Sequence, residues 1–207
     1  MDTAITATYS PSSYYSFNST LLFGYTDSTN LNTQLVLYDA LQSATVTLPE
    51  LAYPAKNIQK YALIAQFTHN LLEVVTSYSY GNTINTNITY PDPNAYTLTT
   101  NNQPGSFAVS WNAAKPSCYA TFWNNTNVNW TLYASPDSTT LSPLALLTAQ
   151  KPRMLQGQNL TNLYLGAFLY ETVQNYNYAG FLNFGCDSNQ VRQHPVTSGV
   201  SYSKDFY

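Results

Sequence analysis

Apolar and polar positions alternate along most of this 207-residue chain, and a period of two in β-branched and aromatic residues predicts strands. Phe17, Leu21, Phe23 and Tyr25 share one parity, with Asn18 and Thr20 on the other. Val128, Trp130 and Leu132 share a face, and Asn129 lies opposite. Phe107, Val109 and Trp111 make a third inward set, and Cys118, Ala120 and Phe122 a fourth. Further strands are expected through residues 35–38, 45–48, 96–99, 160–170, 178–184 and 196–202. Turn signals separate them: Gly81-Asn82, Pro91-Asp92-Pro93-Asn94, Gln103-Pro104-Gly105 and Ser135-Pro136-Asp137. Eight or more short strands at this spacing predict an all-β sandwich.

Two stretches depart from the pattern. Over residues 56–76, Ile64, Phe67, Leu71 and Val75 recur at helical spacing among helix-favouring Ala, Gln, Leu and Glu. This predicts one short helix or helical turn ahead of a strand ending at Tyr80. The alternative is two alternating strands, Tyr61/Leu63/Ala65/Phe67 and Leu72/Val74/Thr76/Tyr78. At the N-terminus Ile5, Ala7 and Tyr9 alternate with Thr6 and Thr8 before Pro11-Ser12-Ser13 interrupts. A short β-capable segment and linker, residues 1–13, thus precede a head domain, residues 14–207. The segment either returns as an edge strand of its own sandwich or completes someone else's.

Composition narrows the setting. Asp, Glu, Lys and Arg supply 8% of residues, against roughly 25% in an ordinary soluble domain. Uncharged Asn, Thr, Ser, Gln and the 19 tyrosines must keep the surface wet. Sequons for N-linked glycans stand at Asn18, Asn87, Asn124, Asn129 and Asn159, where sugars would add hydration. This predicts an extracellular protein. It also suits an acidic medium, since stability that does not rest on carboxylate pairs survives their protonation. A net charge of -3 leaves no basic stripe for nucleic acid. No apolar run is long enough to span a bilayer. The opening residues lack the basic and apolar regions of a signal peptide, so the chain is expected to be the processed form. Cys118 and Cys186 are expected to pair, closing a loop of roughly 70 residues worth on the order of 4 kcal/mol; two buried free thiols are the plainer alternative.

Little of the inventory suits catalysis, and no enzyme activity, metal or cofactor is expected. There is no Gly-x-Ser-x-Gly elbow and no phosphate-cradling glycine loop. His69 and Glu73 could share a helix face, but two ligands do not hold zinc. Glu73 and Glu171 are a conceivable carboxylate pair only if the fold brings them together. His194-Pro195 reads as a turn. Trp111, Trp123 and Trp130 are candidates for a sugar-stacking platform; by parity only Trp123 points outward, which makes a carbohydrate-binding, lectin-like module one alternative. A jelly-roll viral coat protein is another. Lys115 and Lys151 could enter a Lys–Asn isopeptide crosslink beside a buried acid.

A polar, sequon-rich sandwich with a detachable first strand suits a filament. A sandwich missing one strand exposes backbone donors, acceptors and an apolar groove, which a neighbour's leading segment can fill. Ile5, Ala7 and Tyr9 would occupy alternate pockets, with roughly 1.5–3 kcal/mol from burying each of Ile5 and Tyr9. Such head-to-tail contacts propagate into an open fibre.

In length, Tyr/Asn/Thr/Ser-rich composition, scarcity of charge, multiple sequons and strand-like N-terminal tail, the whole chain resembles the glycosylated thread filament subunits of thermoacidophilic archaea. The resemblance implies a pilin-like or Ig-like sandwich completed by a donor strand at Ala4, Ile5, Ala7 and Tyr9. It also implies glycans at the five sequons, identical subunits as partners, and a role in adhesion to surfaces or cells or in biofilm formation. The acid-labile Asp92-Pro93 bond departs from what an acid habitat favours.

Overall fold

A computed structural model describes residues 3–5, 17–43, 51–53, 57–69, 71–83, 94–98, 103–150, 157, 160, 162–186 and 196–206. Among these the fold is all-β and sandwich-like, built of antiparallel sheets with two short helices. In chain order the strands are β1 (Thr3–Ile5), β2 (Phe17–Tyr25), β3 (Gln34–Ser43), β4 (Leu51–Tyr53), β5 (Lys60–His69) and β6 (Glu73–Gly81). Then come β7 (Tyr96–Leu98), β8 (Phe107–Trp111), β9 (Cys118–Asn124), β10 (Asn129–Ala134), β11 (Thr140–Leu141) and helix α1 (Pro143–Ala149). β12 (Tyr164–Val173), helix α2 (Tyr178–Cys186) and β13 (Val196–Asp205) follow. The chain divides into two compact units, Met1–Pro91 with Thr172–Tyr202, and Asp92–Glu171 with Ser203–Tyr207. The first division falls within the Pro91-Asp92-Pro93 turn signal.

In the first unit the strand order is β13–β6–β5–β2–β3. β5 and β6 form a hairpin whose register runs from Tyr61↔Gly81 to His69↔Glu73. The helix expected ahead of Tyr80 is therefore absent, and the two-strand alternative holds for its first half. Tyr61, Leu63, Ala65 and Phe67 are all buried. The second half is shifted by one: Glu73 and Val75 are the buried residues, and Leu72 is exposed in the turn. Val74, Val75, Thr76, Tyr78 and Tyr80 are β-branched or aromatic and fit a pleated surface. Pairing on both sides of β5 outweighs the weak helical spacing.

The parity expected for β2 is also reversed. Thr20 and Leu22 are the fully covered residues, while Leu21 and Phe23 are half-buried. A bulge in the β2–β3 ladder between Leu22 and Phe23 places the extra residue, Leu37, on β3, while the β2–β5 register runs on unbroken. Beyond it Tyr25 joins Ala62 and Tyr80, with Phe23 against them. Tyr25 and Tyr80 meet edge to face at 5.6 Å, and the Lys60 ammonium lies 5.2 Å from the Tyr80 ring centre. Burial holds the Lys60 ammonium below the usual lysine range.

The second unit has the character of a small two-layer sandwich. One layer runs β10–β9–β12 and the other β11–β8–β7. Between them lies an aromatic core: Phe107 of β8 is 6.2 Å from Tyr119, 6.1 Å from Trp123 and 6.3 Å from Phe168. Trp111 closes one side against Tyr119 and Tyr170, and its indole N–H donates to the Pro136 carbonyl. Rings offset or edge to face add favourable quadrupole contacts to the area they bury. The turn signals here are met: Ser106 N–H bonds the Gln103 carbonyl, and Ser138 N–H bonds Ser135.

Residues 178–184, expected as a strand, lie in α2. Asn177 supplies the start signal: its side-chain oxygen accepts from Gly180 N–H and its carbonyl from Phe181 N–H. That is an N-cap, placed ahead of aromatic and apolar residues that also suit a strand.

Candidate assembly strand and modification face

The N-terminal segment was expected either to join its own sandwich or to leave. Thr3–Ile5 instead pairs antiparallel with Leu51–Tyr53 of the same chain, Thr3↔Tyr53, Ala4↔Ala52 and Ile5↔Leu51. This two-stranded ladder is separate from the larger sheets. Two short strands alone are marginal in water. Ala7 and Tyr9 lie outside the described residues. Elsewhere in the first unit β3 is the outermost strand, and its Leu35 and Val36 are 47% and 63% exposed. An edge of this kind offers unpaired backbone groups beside apolar side chains.

The sequons separate by position. Asn87 and Asn159 lie outside the described residues, and of Asn18 only the backbone, in β2, is described. Asn124 and Asn129 close the β9–β10 hairpin and are direct cross-strand partners. The turn between them is held by Asn125, whose side-chain oxygen accepts from the N–H groups of Asn127 and Val128. On the central strand Asn124 also pairs with Tyr164 of β12. Asn129, Asn124 and Tyr164 therefore form a row across three strands, since paired residues share a sheet face. The opposite face carries Trp130, Trp123 and Leu165. Asn129 and Tyr164 are exposed and Asn124 is half-buried.

Three sequence expectations are corrected. Trp123, expected outward, is fully buried against Phe107, and its indole N–H donates to Thr121. Both parities of β9 are covered from Cys118 to Thr121, so alternation could not tell which face was the core. A sugar platform built on Trp123 is excluded. Cys118 is a free buried thiol, not half of a disulfide with Cys186, whose side chain lies outside the described residues. Its sulfur is directed at the carbonyls of Tyr119 and Ala134, and burial pushes the thiol up to about 12. Lys115 is no buried crosslinking amine: it sits exposed, 2.6 Å from the Asp137 carboxylate. Lys151 lies outside the described residues.

His69 and Glu73 do meet, with Nδ1 3.3 Å from Oε2, but across the mouth of a hairpin instead of along a helix. Among the described residues no group of three His, Cys, Asp or Glu side chains could hold a metal. A shallow cavity of about 270 Å³ is lined by Gly105, Ser106, Phe107, Ala108, Thr140, Leu141 and Ser142, none of them titratable. Among the described residues no helix is long and apolar enough to cross a membrane. No family model matches the chain, and neither a curated protein nor a solved structure is detectably similar to it.

Proposed function

We propose that this protein is a non-catalytic structural subunit of an exported, N-glycosylated surface filament, joined head to tail by exchange of its N-terminal strand. One observation carries the reading: among the described residues Thr3–Ile5 pairs with Leu51–Tyr53 in a two-stranded sheet of its own. A short two-stranded pairing of this kind can be traded between identical chains, because the contacts made within one chain are the ones made between two. The Leu51–Tyr53 strand is then the acceptor, and a neighbour's Thr3–Ile5 takes the place of the chain's own. The sparse charge and the five sequons support a surface wetted by hydroxyls, amides and sugars.

A second reading is favoured by the same ladder. A strand that stays on its parent makes the protein a monomeric β-module with no assembly role. A crosslink separates the two. Ala4 and Ala52 are register partners, so the double variant Ala4→Cys/Ala52→Cys reports whose strand fills the slot. On a non-reducing gel of native assembled material, strand exchange predicts a ladder of covalent multimers that collapses to monomer on reduction. A single oxidised monomer band, together with unassembled particles in negative stain, would sink the filament reading.

A further inference from the structure

The hairpin that joins β9 and β10 carries two sequons whose asparagines face each other across the strands, Asn124↔Asn129. Their Cβ atoms are about 4.5–5.5 Å apart on one sheet face, too close for two branched oligosaccharides. The structure distinguishes them. Asn129 is on β10, the outermost strand of its sheet, and is exposed. Asn124 is on the strand between β10 and β12, and is half-buried. Its amide nitrogen, the atom a glycan would occupy, fills the space over Gly166, where a Cβ would otherwise sit. The bulge between Leu165 and Ala167 makes that recess. A sugar on Asn124 would have to lift the side chain out of it.

The row continues to Tyr164, which is 57% exposed. With neighbouring strands about 4.8 Å apart, its backbone stands roughly 10 Å from that of Asn129, within reach of the first sugars of an N-linked chain. A pyranose presents an apolar face of C–H groups, and a tyrosine ring is the surface that such a face packs on. Between the two, the Asn124 amide offers a donor and an acceptor to sugar hydroxyls.

We infer that Asn129, not Asn124, carries the N-linked glycan of this hairpin in the folded protein, and that its first sugars lie over Asn124 against Tyr164. In the attachment step the Asn129 Nδ2 bonds to the anomeric carbon of a lipid-phosphate-linked oligosaccharide. The bond from that carbon to the carrier phosphate breaks, the carrier leaves as the phosphate, and the amide nitrogen gives up one proton. The inference rests on the exported reading above, but not on strand exchange.

Glycopeptide mass spectrometry of protein from its native host tests it. The peptide containing both asparagines should carry one glycan, localised by fragmentation to Asn129. The Asn129→Gln variant should lose one glycan mass and Asn124→Gln none. Tyr164→Ala should keep the glycan yet lower the melting temperature by about 2–4 °C, and lower it less in the Asn129→Gln background. A glycan on Asn124, on both residues or on neither overturns the assignment; equal Tyr164→Ala effects in the two backgrounds overturn the stacking. If no sequon of the chain is occupied, the exported reading falls as well. If other sequons are occupied and Asn129 is bare, only this inference fails.

Discussion

Cys118 shows how far a residue's surroundings can depart from what its type suggests. A cysteine in a sequon-rich chain invites a partner, yet this thiol is fully covered and directed at the carbonyls of Tyr119 and Ala134. Burial raises its pKa from about 9 to about 12. In the unfolded chain the thiol ionises above pH 9 while the folded one stays protonated. The folded state then binds more protons, so stability falls as pH rises across that window. The loss from this group should be on the order of 1 kcal/mol by pH 10. Urea unfolding at pH 8 and pH 10 checks it, because Cys118→Val should remove that part of the alkaline loss. Buried Tyr25, also shifted upward by burial, acts in the same direction and remains in the variant. Neither the thiol's isolation nor the burial of Trp123 was legible in sequence, for one reason: β9 is covered on both faces, and alternation carries no information where both parities are apolar.

Elements were more legible than faces. The strands through 107–111, 118–124 and 129–134 follow from their β-branched and aromatic residues, and their turns from Pro, Gly, Ser and Asp. What failed was helix against strand in two short stretches. Residues 60–81 became a hairpin because β2 pairs with β5 along its length, a long-range contact no local window contains. Residues 178–186 became a helix because Asn177 caps it, a signal carried by one residue. The β5–β6 hairpin also stores local strain. Leu71, in its turn, has φ 61° and is 78% exposed, a left-handed conformation that Asn tolerates better than Leu. Leu71→Asn should therefore raise stability by about 0.5–1 kcal/mol, measured as an upward shift in the urea midpoint with unchanged slope. A fall in the midpoint would mean that the exposed leucine makes a contact worth more than the strain. The candidate sites divide in the same way: sequons are readable as motifs, but that Asn124 and Asn129 face each other is a fact of register.

Across the whole molecule, ionised groups contribute little. The Lys115–Asp137 ion pair is exposed, and an exposed pair is worth about 0–1 kcal/mol. Adding 0.5 M sodium chloride should therefore move the thermal midpoint by less than about 4 °C. A larger drop in differential scanning calorimetry would reveal a stabilising charge network. The scarcity of charge was legible from composition at once. The division into two units was not, because it depends on residues 172–202 returning to the first half of the chain.

The ladder between Thr3–Ile5 and Leu51–Tyr53 has a last consequence. A strand that fills its own slot is also a plug. On the filament reading proposed above, a tether that holds it there at a local concentration in the millimolar range would leave newly made chains self-blocked in dilute solution, and they would reach the outside without clumping on the way. Growth would begin only where something prises the plug loose or crowds many chains together, and the point of release, not the supply of protein, would set where fibres start.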